Sequence, residues 1–250
     1  MPDSTHTPPQ KKNAHTYHLS LALTNKRCVI VGFGPVGQRK LPGLLAGREN
    51  DGLLVQIFDP HPELKHRAAP FLSKYPTVPL IFLQERVDET ILKNAHLVFA
   101  CTSDKEENQR IARLCREWNI LCNCAAPPEA GDVALPATID LFPITLTLST
   151  HGASPALSRK WHKELAVWAA KKRPMALFMA QLRPYVLALG NRQEENQSLL
   201  RSLAESPLED WLAQGDYQAA QTFLTTRLPD SIREILPELF SAFRKELRKV

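Results

Sequence analysis

The glycine pattern Gly32-Phe-Gly34-Pro-Val-Gly37 constrains the fold most, because it directly follows a short apolar run at residues 28–31. A G-x-G-x-x-G sequence between a buried strand and a helix is typical of the dinucleotide-binding turn of a βαβ unit. The first glycine permits a tight turn, the second lets a diphosphate approach the backbone, and the third lets helix and strand pack closely. The pattern therefore predicts an α/β domain that binds a nucleotide cofactor.

Four further apolar runs follow, at residues 53–58, 80–83, 96–101 and 120–124. Continuous apolar runs separated by helical stretches are typical of parallel strands that are covered on both faces. The clearest intervening helix, at residues 106–118, has apolar residues at three- and four-residue spacing. In the helix after the first strand, Pro42-Gly43 predicts a kink or an early stop. The predicted fold class is α/β, a Rossmann-type doubly wound parallel sheet.

The pattern changes after Pro136. Residues 144–149 alternate as in a strand, and Ser154-Pro155 predicts the start of a helix with one apolar stripe, formed by Leu157, Trp161, Leu165 and Trp168. Beyond Pro174 we expect short helices, with a capping box at residues 206–209 and a helical stretch at 231–249. The expected regions are a disordered tail at 1–16, a Rossmann domain at 17–125, a strand–helix region at 126–173 and an α-helical domain at 174–250.

Composition excludes several classes of protein. The 250 residues are 44% hydrophobic and 23% charged, which indicates a folded chain, and the net charge of +5 comes without a long Lys/Arg block, so no nucleic-acid partner is expected. No apolar run approaches the length of a membrane span, and we expect a cytoplasmic protein without a membrane partner. Five cysteines, all within predicted strands and helices or at their ends, favour core residues over disulfides or a metal site.

Polar residues at the ends of two runs extend the nucleotide hypothesis. Asp59 ends the second run, where an acid can accept hydrogen bonds from the adenosine ribose and favours NAD over NADP. The alternative is an ordinary glycine turn with a capping aspartate. Thr102-Ser103-Asp104 follows the fourth run at the carboxyl edge of the sheet, where ligands of doubly wound folds bind. Asp104 is equally suited to cap the next helix, and the two roles are compatible.

Several segments together resemble a known family. They are residues 26–40 around the glycines, residues 100–104 with Asn108, Cys122-Asn123, and Ser149-Thr-His-Gly-Ala-Ser154-Pro-Ala-Leu-Ser-Arg159. The last is the most specific, because a strand ending in S-T-x-G-x-S-P-x-L is not a general Rossmann feature. The chain resembles, from about residue 17 to about 165, the precorrin-2 dehydrogenase family, the N-terminal module of siroheme synthase. Some members are also sirohydrochlorin ferrochelatases.

The resemblance implies an oxidoreductase of siroheme and porphyrin biosynthesis, a cytoplasmic homodimer that oxidises the tetrapyrrole precorrin-2 to sirohydrochlorin with NAD. Residues 126–173 would form the dimerisation and substrate region. The implied cofactor-binding residues are Gly32, Gly34, Pro35, Val36, Gly37, Asp59, Pro60, His61, Thr102, Ser103 and Asp104.

The resemblance also implies a substrate side, formed by Asn123, Ser154 and Arg159. Ser154 stands at a helix start, whose free N–H groups suit a substrate carboxylate, although it can simply cap its own helix. Arg159, with Lys160 and Lys163 beside it, supplies positive charge or forms a solvated helix face.

One position departs from the family pattern. Ala126 stands where family members usually carry an aspartate with an acid–base role. Metal insertion must remove N–H protons from the ring, so it depends on a base more directly than dehydrogenation does. We therefore expect weak or no ferrochelatase activity, with His151 and Asp132 as candidate replacement bases. The alternatives are a bifunctional dehydrogenase/ferrochelatase and a non-enzymatic NAD-sensing Rossmann module.

Overall fold

A computed structural model describes residues 16–45, 51–190 and 193–249. The chain divides into two compact units between Leu135 and Pro136. The predicted tail at 1–16 lies, apart from Thr16, outside the described residues.

The first unit contains five strands, and all five predicted strands are confirmed: β1 Arg27–Val31, β2 Leu54–Phe58, β3 Leu80–Leu83, β4 Leu97–Ala100 and β5 Leu121–Cys124. They form a parallel sheet of order β3-β2-β1-β4-β5. Ile30 at the centre of the sheet lies opposite Ile57 of β2 and Phe99 of β4.

Helices connect these strands: α1 Pro35–Leu45, α2 Leu64–Lys74, α3 Glu89–Lys93 and α4 Lys105–Glu117, with a 3₁₀ turn at Pro128–Ala130. Helix α4 confirms the predicted helix. The predicted early stop at Pro42-Gly43 is wrong, because α1 continues to Leu45. Pro42 removes one backbone hydrogen bond, whereas Leu41, Leu44 and Leu45 are buried in the core and hold the helix to the sheet.

Alternate residues of β1 enter separate apolar clusters, as expected for a sheet covered on both faces. Cys28 and Ile30 belong to one cluster, and Val29 and Val31 belong to the other. All five cysteines are buried and none of them forms a disulfide, which confirms their prediction as core residues.

The second unit begins with an antiparallel hairpin, β6 Ala137–Leu141 and β7 Ile144–Leu148. Only β7 is predicted from the sequence. Helices follow: α5 Pro155–Leu187, α6 Gln193–Ala204, α7 Leu208–Gln214, α8 Tyr217–Arg227, α9 Asp230–Arg233 and α10 Leu236–Leu247. Across the described ranges, none of the helices has both the length and the apolar character that a membrane crossing requires.

Helix α5 is longer than the sequence predicts. It continues through Pro174 and Pro184 to Leu187, so the expected end of the helix at Pro174 is wrong, whereas the short helices expected beyond it are confirmed from α6 onward. Leu177, Phe178 and other apolar residues after Pro174 are buried in the core of the helical region. Their burial offsets the backbone hydrogen bonds that the prolines remove. A single helix thus spans the predicted boundary between 126–173 and 174–250.

Two smaller predictions for this unit are confirmed only in part. The Ser206 hydroxyl accepts from the Leu208 N–H at 3.3 Å and donates to the Leu203 carbonyl, but Glu209 pairs with Lys172, so the reciprocal capping box does not form. The predicted helical stretch at 231–249 is largely confirmed by α9 and α10, with an interruption between them.

Arg173 of α5 is 7% exposed and anchors the ends of other elements. Its guanidinium donates to the carbonyls of Phe142, in the hairpin turn, and of Glu246 and Leu247, at the end of α10. The carbonyls at a helix C-terminus carry partial negative charge, so they suit a buried cation.

Candidate functional site

A cavity of about 520 Å³ lies in the first unit at the carboxyl ends of β1, β2 and β4. It brings together most of the predicted cofactor-binding residues: Gly32, Gly34, Asp59, Pro60, His61, Thr102, Ser103 and Asp104. The other three, Pro35, Val36 and Gly37, form the first turn of α1, which starts beside it. The three predicted segments therefore meet at one site.

The three glycines have different environments. Gly32 has a φ of +89°, and an added Cβ would lie 2.7 Å from backbone atoms of Cys101 and Thr102. At Gly37 an added Cβ would lie 2.1 Å from the Gly32 carbonyl oxygen, whereas at Gly34 it would meet nothing within 4 Å. Gly32 and Gly37 are thus required by the fold, and Gly34 leaves open space at the cavity. This is the arrangement that the glycine pattern predicts for diphosphate approach.

Asp59 is nearly buried, at 9% exposure, and both of its carboxylate oxygens accept backbone hydrogen bonds. The N–H of Phe33 donates to Oδ2 at a distance of 2.6 Å, and the N–H of His61 donates to Oδ1 at a distance of 2.9 Å. The bond to Phe33 was not predicted from the sequence, because the spacing of the two residues gives no signal of it. A carboxylate can accept about four hydrogen bonds, so ribose hydroxyls can still bind here.

The segment after β4 is held by its own Asp104, the N-cap of α4, and by Asn108 of α4. Asp104 caps the helix by accepting from the N–H groups of Glu106 (3.0 Å) and Glu107 (3.1 Å), which confirms its capping role. These hydrogen bonds, that of Glu107 above all, lower the pKa of the Asp104 carboxyl. The buried Asn108 amide accepts from the Thr102 N–H and hydroxyl and donates to the carbonyls of Thr102 and Ala126.

The cavity also includes residues that the sequence analysis missed: Val31, Phe58, Arg67, Glu85, Arg86, Val87, Cys101 and Glu107. Residues 85–87 follow β3 and carry no recognisable motif. They reach the cavity because β3 pairs with β2, a pairing that the order of strands along the chain does not reveal. Cys101 is unsuited to nucleophilic chemistry, because burial raises the pKa of its thiol to about 11.

Two candidate residues of the first unit lie outside the lining of this cavity. The Asn123 side chain is 6% exposed and donates to the Val133 carbonyl over 2.7 Å, while its Oδ1 is buried with no partner among the described residues. The Asp132 carboxylate is partly exposed, with Oδ1 3.8 Å from Nε of Arg116. Their proposed roles are therefore not explained by the nucleotide cavity.

The remaining candidates belong to the second unit. Ser154 caps α5, with its hydroxyl oxygen accepting from the Leu157 N–H over 3.2 Å, so the capping interpretation is confirmed. His151 is exposed and adopts a φ of +48°, and Arg159 is exposed in the second turn of α5. The substrate and base roles of these residues stay predictions.

The predicted apolar stripe of α5 is largely exposed. Trp168 is 50% exposed and Trp161 is 40% exposed. With Leu148, Glu164 and Leu165 they line a groove of about 550 Å³ within the second unit. We call this surface the tryptophan groove.

Comparison with known proteins agrees with this architecture. Residues 19–137 match a family model described as "Putative NAD(P)-binding". The chain is 29% identical to siroheme synthase of Nitrosomonas eutropha and 28% identical to that of Chromobacterium violaceum, in both cases over 85% of the chain and 43% of the relative. It therefore spans less than half the length of these relatives.

A solved structure shares the fold. The structure of SirC, precorrin-2 dehydrogenase, superposes with a TM-score of 0.59 at 20% identity and covers 83% of this chain and all of that one. The α/β class, with a parallel sheet followed by a hairpin and helices, is thereby confirmed. The NAD(P)-binding match and the siroheme synthase relatives agree with the resemblance of this chain to the precorrin-2 dehydrogenase family.

Proposed function

We propose that the protein oxidises precorrin-2 to sirohydrochlorin with NAD. One observation carries the proposal: in a chain that resembles this family, a single cavity joins the glycine turn, the acid after β2 and the segment after β4. These are the positions at which a doubly wound fold binds a dinucleotide. NAD, when bound, supplies the hydride acceptor.

The residues of the cavity fit NAD in two respects. The open space at Gly34 and the first-turn N–H groups of α1 suit a diphosphate. Asp59 suits an unmodified ribose, because its carboxylate would repel the 2′-phosphate of NADP. Thr102, Ser103 and Asp104 would flank the nicotinamide side, with Pro60 and His61 near the adenosine.

We propose that Ser154 and Arg159 bind carboxylates of the substrate. Ser154 begins a helix of 33 residues, whose N-terminus carries partial positive charge. Arg159 is followed by Lys160 and Lys163 on the same helix. A polycarboxylate macrocycle requires such a concentration of positive charge.

The proton balance of the reaction favours dehydrogenation over metal insertion. Loss of hydride extends the conjugation of the macrocycle, and water can accept the accompanying proton. Metal insertion instead requires a base within reach of the ring N–H groups. Ala126 offers none, Asp132 lies near Arg116, and His151 is exposed. We therefore propose weak or no ferrochelatase activity.

We propose that the protein is a homodimer and that a second copy covers the tryptophan groove. Two half-exposed tryptophans on one helix face would leave a large apolar surface in water. Tryptophan is also strongly favoured at the centres of protein interfaces. A cytoplasmic location fits five buried cysteines that form no disulfide.

Anaerobic incubation of the purified chain with precorrin-2 and NAD tests the proposed activity. We expect the absorption spectrum of sirohydrochlorin to appear, and to appear more slowly with NADP. A non-enzymatic NAD-sensing module would bind NAD and leave precorrin-2 unchanged.

A further inference from the structure

Phe33, the residue between the first two glycines, is fixed on three sides. Its N–H donates to Asp59, and its carbonyl accepts from Nε2 of Gln38 over 3.1 Å. Its ring is fully buried and packs edge-on against Phe71 and Phe82, with centroid distances of 5.4 and 5.2 Å. The middle of the glycine turn is therefore held by the protein itself.

The N–H groups of the turn consequently have separate uses. Phe33 donates to Asp59, Pro35 has no N–H, and the N–H of Gln38 bonds to the Gly34 carbonyl. The backbone N–H groups of Gly34, Val36 and Gly37 remain for a diphosphate, since the first N–H groups of a helix lack partners within it. Their direction depends on where Phe33 is held.

Asp59 holds the turn from the neighbouring strand. Oδ1 is fixed by the N–H of His61, in the segment that follows β2, and Oδ2 receives the N–H of Phe33, in the segment that follows β1. The carboxylate thus joins the ends of two adjacent strands. A hydrogen bond between a carboxylate and a buried N–H is among the stronger hydrogen bonds in proteins.

We propose that Asp59 is a positioning residue for the diphosphate, acting through Phe33, in addition to its expected contact with the ribose. The inference rests on the proposed nucleotide site and deepens it. Removing the carboxylate leaves the buried N–H of Phe33 without an acceptor, and the turn shifts or loosens. A role confined to the ribose predicts no such change.

Two ligands distinguish a role of Asp59 in diphosphate binding from a role confined to the ribose. Adenosine has the ribose without phosphate, and ADP has the ribose with a diphosphate. We expect Asp59→Ala in the full chain to lower the affinity for ADP by a factor about tenfold larger than for adenosine, measured by NMR or calorimetric titration. Equal factors for the two ligands would limit Asp59 to the ribose.

Amide exchange supplies a readout that needs no ligand. We expect exchange at Phe33 in the free protein to rise about tenfold or more in Asp59→Ala, because its acceptor is gone. Asp216→Ala is the matched control, since it removes a carboxylate that accepts the Ala219 N–H in the second unit. It should change neither Phe33 exchange nor ADP binding. Unchanged exchange at Phe33 in Asp59→Ala would overturn the proposal.

A second variant tests the turn without altering the carboxylate. Gln38→Leu removes the hydrogen bond to the Phe33 carbonyl and leaves Asp59 available to the ribose. We expect Gln38→Leu to bind ADP more weakly than the natural chain does and to bind adenosine with unchanged affinity. This variant also provides a test if Asp59→Ala is too unstable to study. If Gln38→Leu has the same affinity for ADP as the natural chain, the position of Phe33 in the glycine turn does not determine diphosphate binding, which contradicts the proposal. If the natural chain binds neither ADP nor adenosine, the proposed nucleotide site is wrong. The amide-exchange measurement would still test whether Asp59 holds the Phe33 N–H.

Discussion

At the scale of single residues, substitutions at two glycines of the turn are expected to affect different properties, cofactor affinity at Gly34 and stability at Gly37. Gly34→Val places a side chain in open space, so the fold should persist while NAD affinity falls about tenfold or more through loss of diphosphate contacts. Gly37→Val forces atoms against the Gly32 carbonyl and should lower the free energy of unfolding by about 1–3 kcal/mol or more. Urea unfolding and NAD titration of both variants check this. Normal NAD affinity in a folded Gly34→Val variant would place the cofactor elsewhere.

Ala126 allows a gain-of-activity prediction. Ala126→Asp introduces a carboxylate at the position where the resemblance implies one, so it should raise the rate of iron or cobalt insertion more than it changes dehydrogenation. Pro128→Asp, an exposed position nearby, is the control for added charge. Fast metal insertion by the natural chain would contradict this expectation. His151 and Asp132 would then be the candidate bases, and replacing each would test which one is used.

Single-residue predictions from the sequence succeeded where a motif fixes geometry. Gly32, Gly34 and Asp59 were placed correctly at one cavity, because the glycine pattern implies a strand, a turn and a helix in a known order. Arg86 and the bond between Asp59 and Phe33 were missed, because both depend on which strands become neighbours.

At the scale of elements, the start of α4 has a predictable response to acid. Asp104 has a lowered pKa in the folded protein, so its charged form stabilises the fold above its unfolded pKa of about 3.9, and this contribution is lost as the pH falls through the folded value. Asp104→Asn keeps a capping oxygen that does not titrate.

Urea unfolding between about pH 6 and pH 3 measures the effect, a range set by the ordinary aspartate pKa. We expect the natural chain to exceed Asp104→Asn in stability at the upper end, and the difference to shrink toward the lower end. A difference that stays constant with pH would show that the Asp104 charge does not stabilise α4.

Helix ends were the least predictable elements. Pro42 and Pro174 suggest breaks, yet α1 and α5 continue through both. A proline costs a helix about 3 kcal/mol, whereas several buried leucines or phenylalanines contribute more, and that burial is decided by tertiary packing. Strand β6 was missed for the same reason, because it is defined by its pairing with β7.

The oligomeric state is the prediction for the whole molecule. Trp161→Glu and Trp168→Glu place charge in the tryptophan groove and should convert the proposed dimer to monomers in analytical ultracentrifugation. Val167→Glu is the control, because Val167 is 60% exposed on the same helix and does not line the groove. A natural chain that sediments as a monomer would contradict the proposed use of this surface.

The α/β architecture followed from the alternation of apolar runs and helices, but the position of the division between the two units did not. The break falls between Leu135 and Pro136, about ten residues after the predicted end of the Rossmann domain. After β5 the chain returns to that strand, where the N–H groups of Asp132 and Val133 both bond to the Cys122 carbonyl. Such a return is set by backbone pairing and carries no sequence motif.

The proposed dehydrogenation is tested most directly by measuring both products of one anaerobic reaction. With precorrin-2 and NAD, the natural chain should form NADH and sirohydrochlorin in equal amounts, since a dehydrogenation transfers one hydride per substrate molecule. The folded Gly34→Val variant should form much less of both. Binding of NAD without either product, or sirohydrochlorin formed at the same rate without NAD, would contradict the assignment.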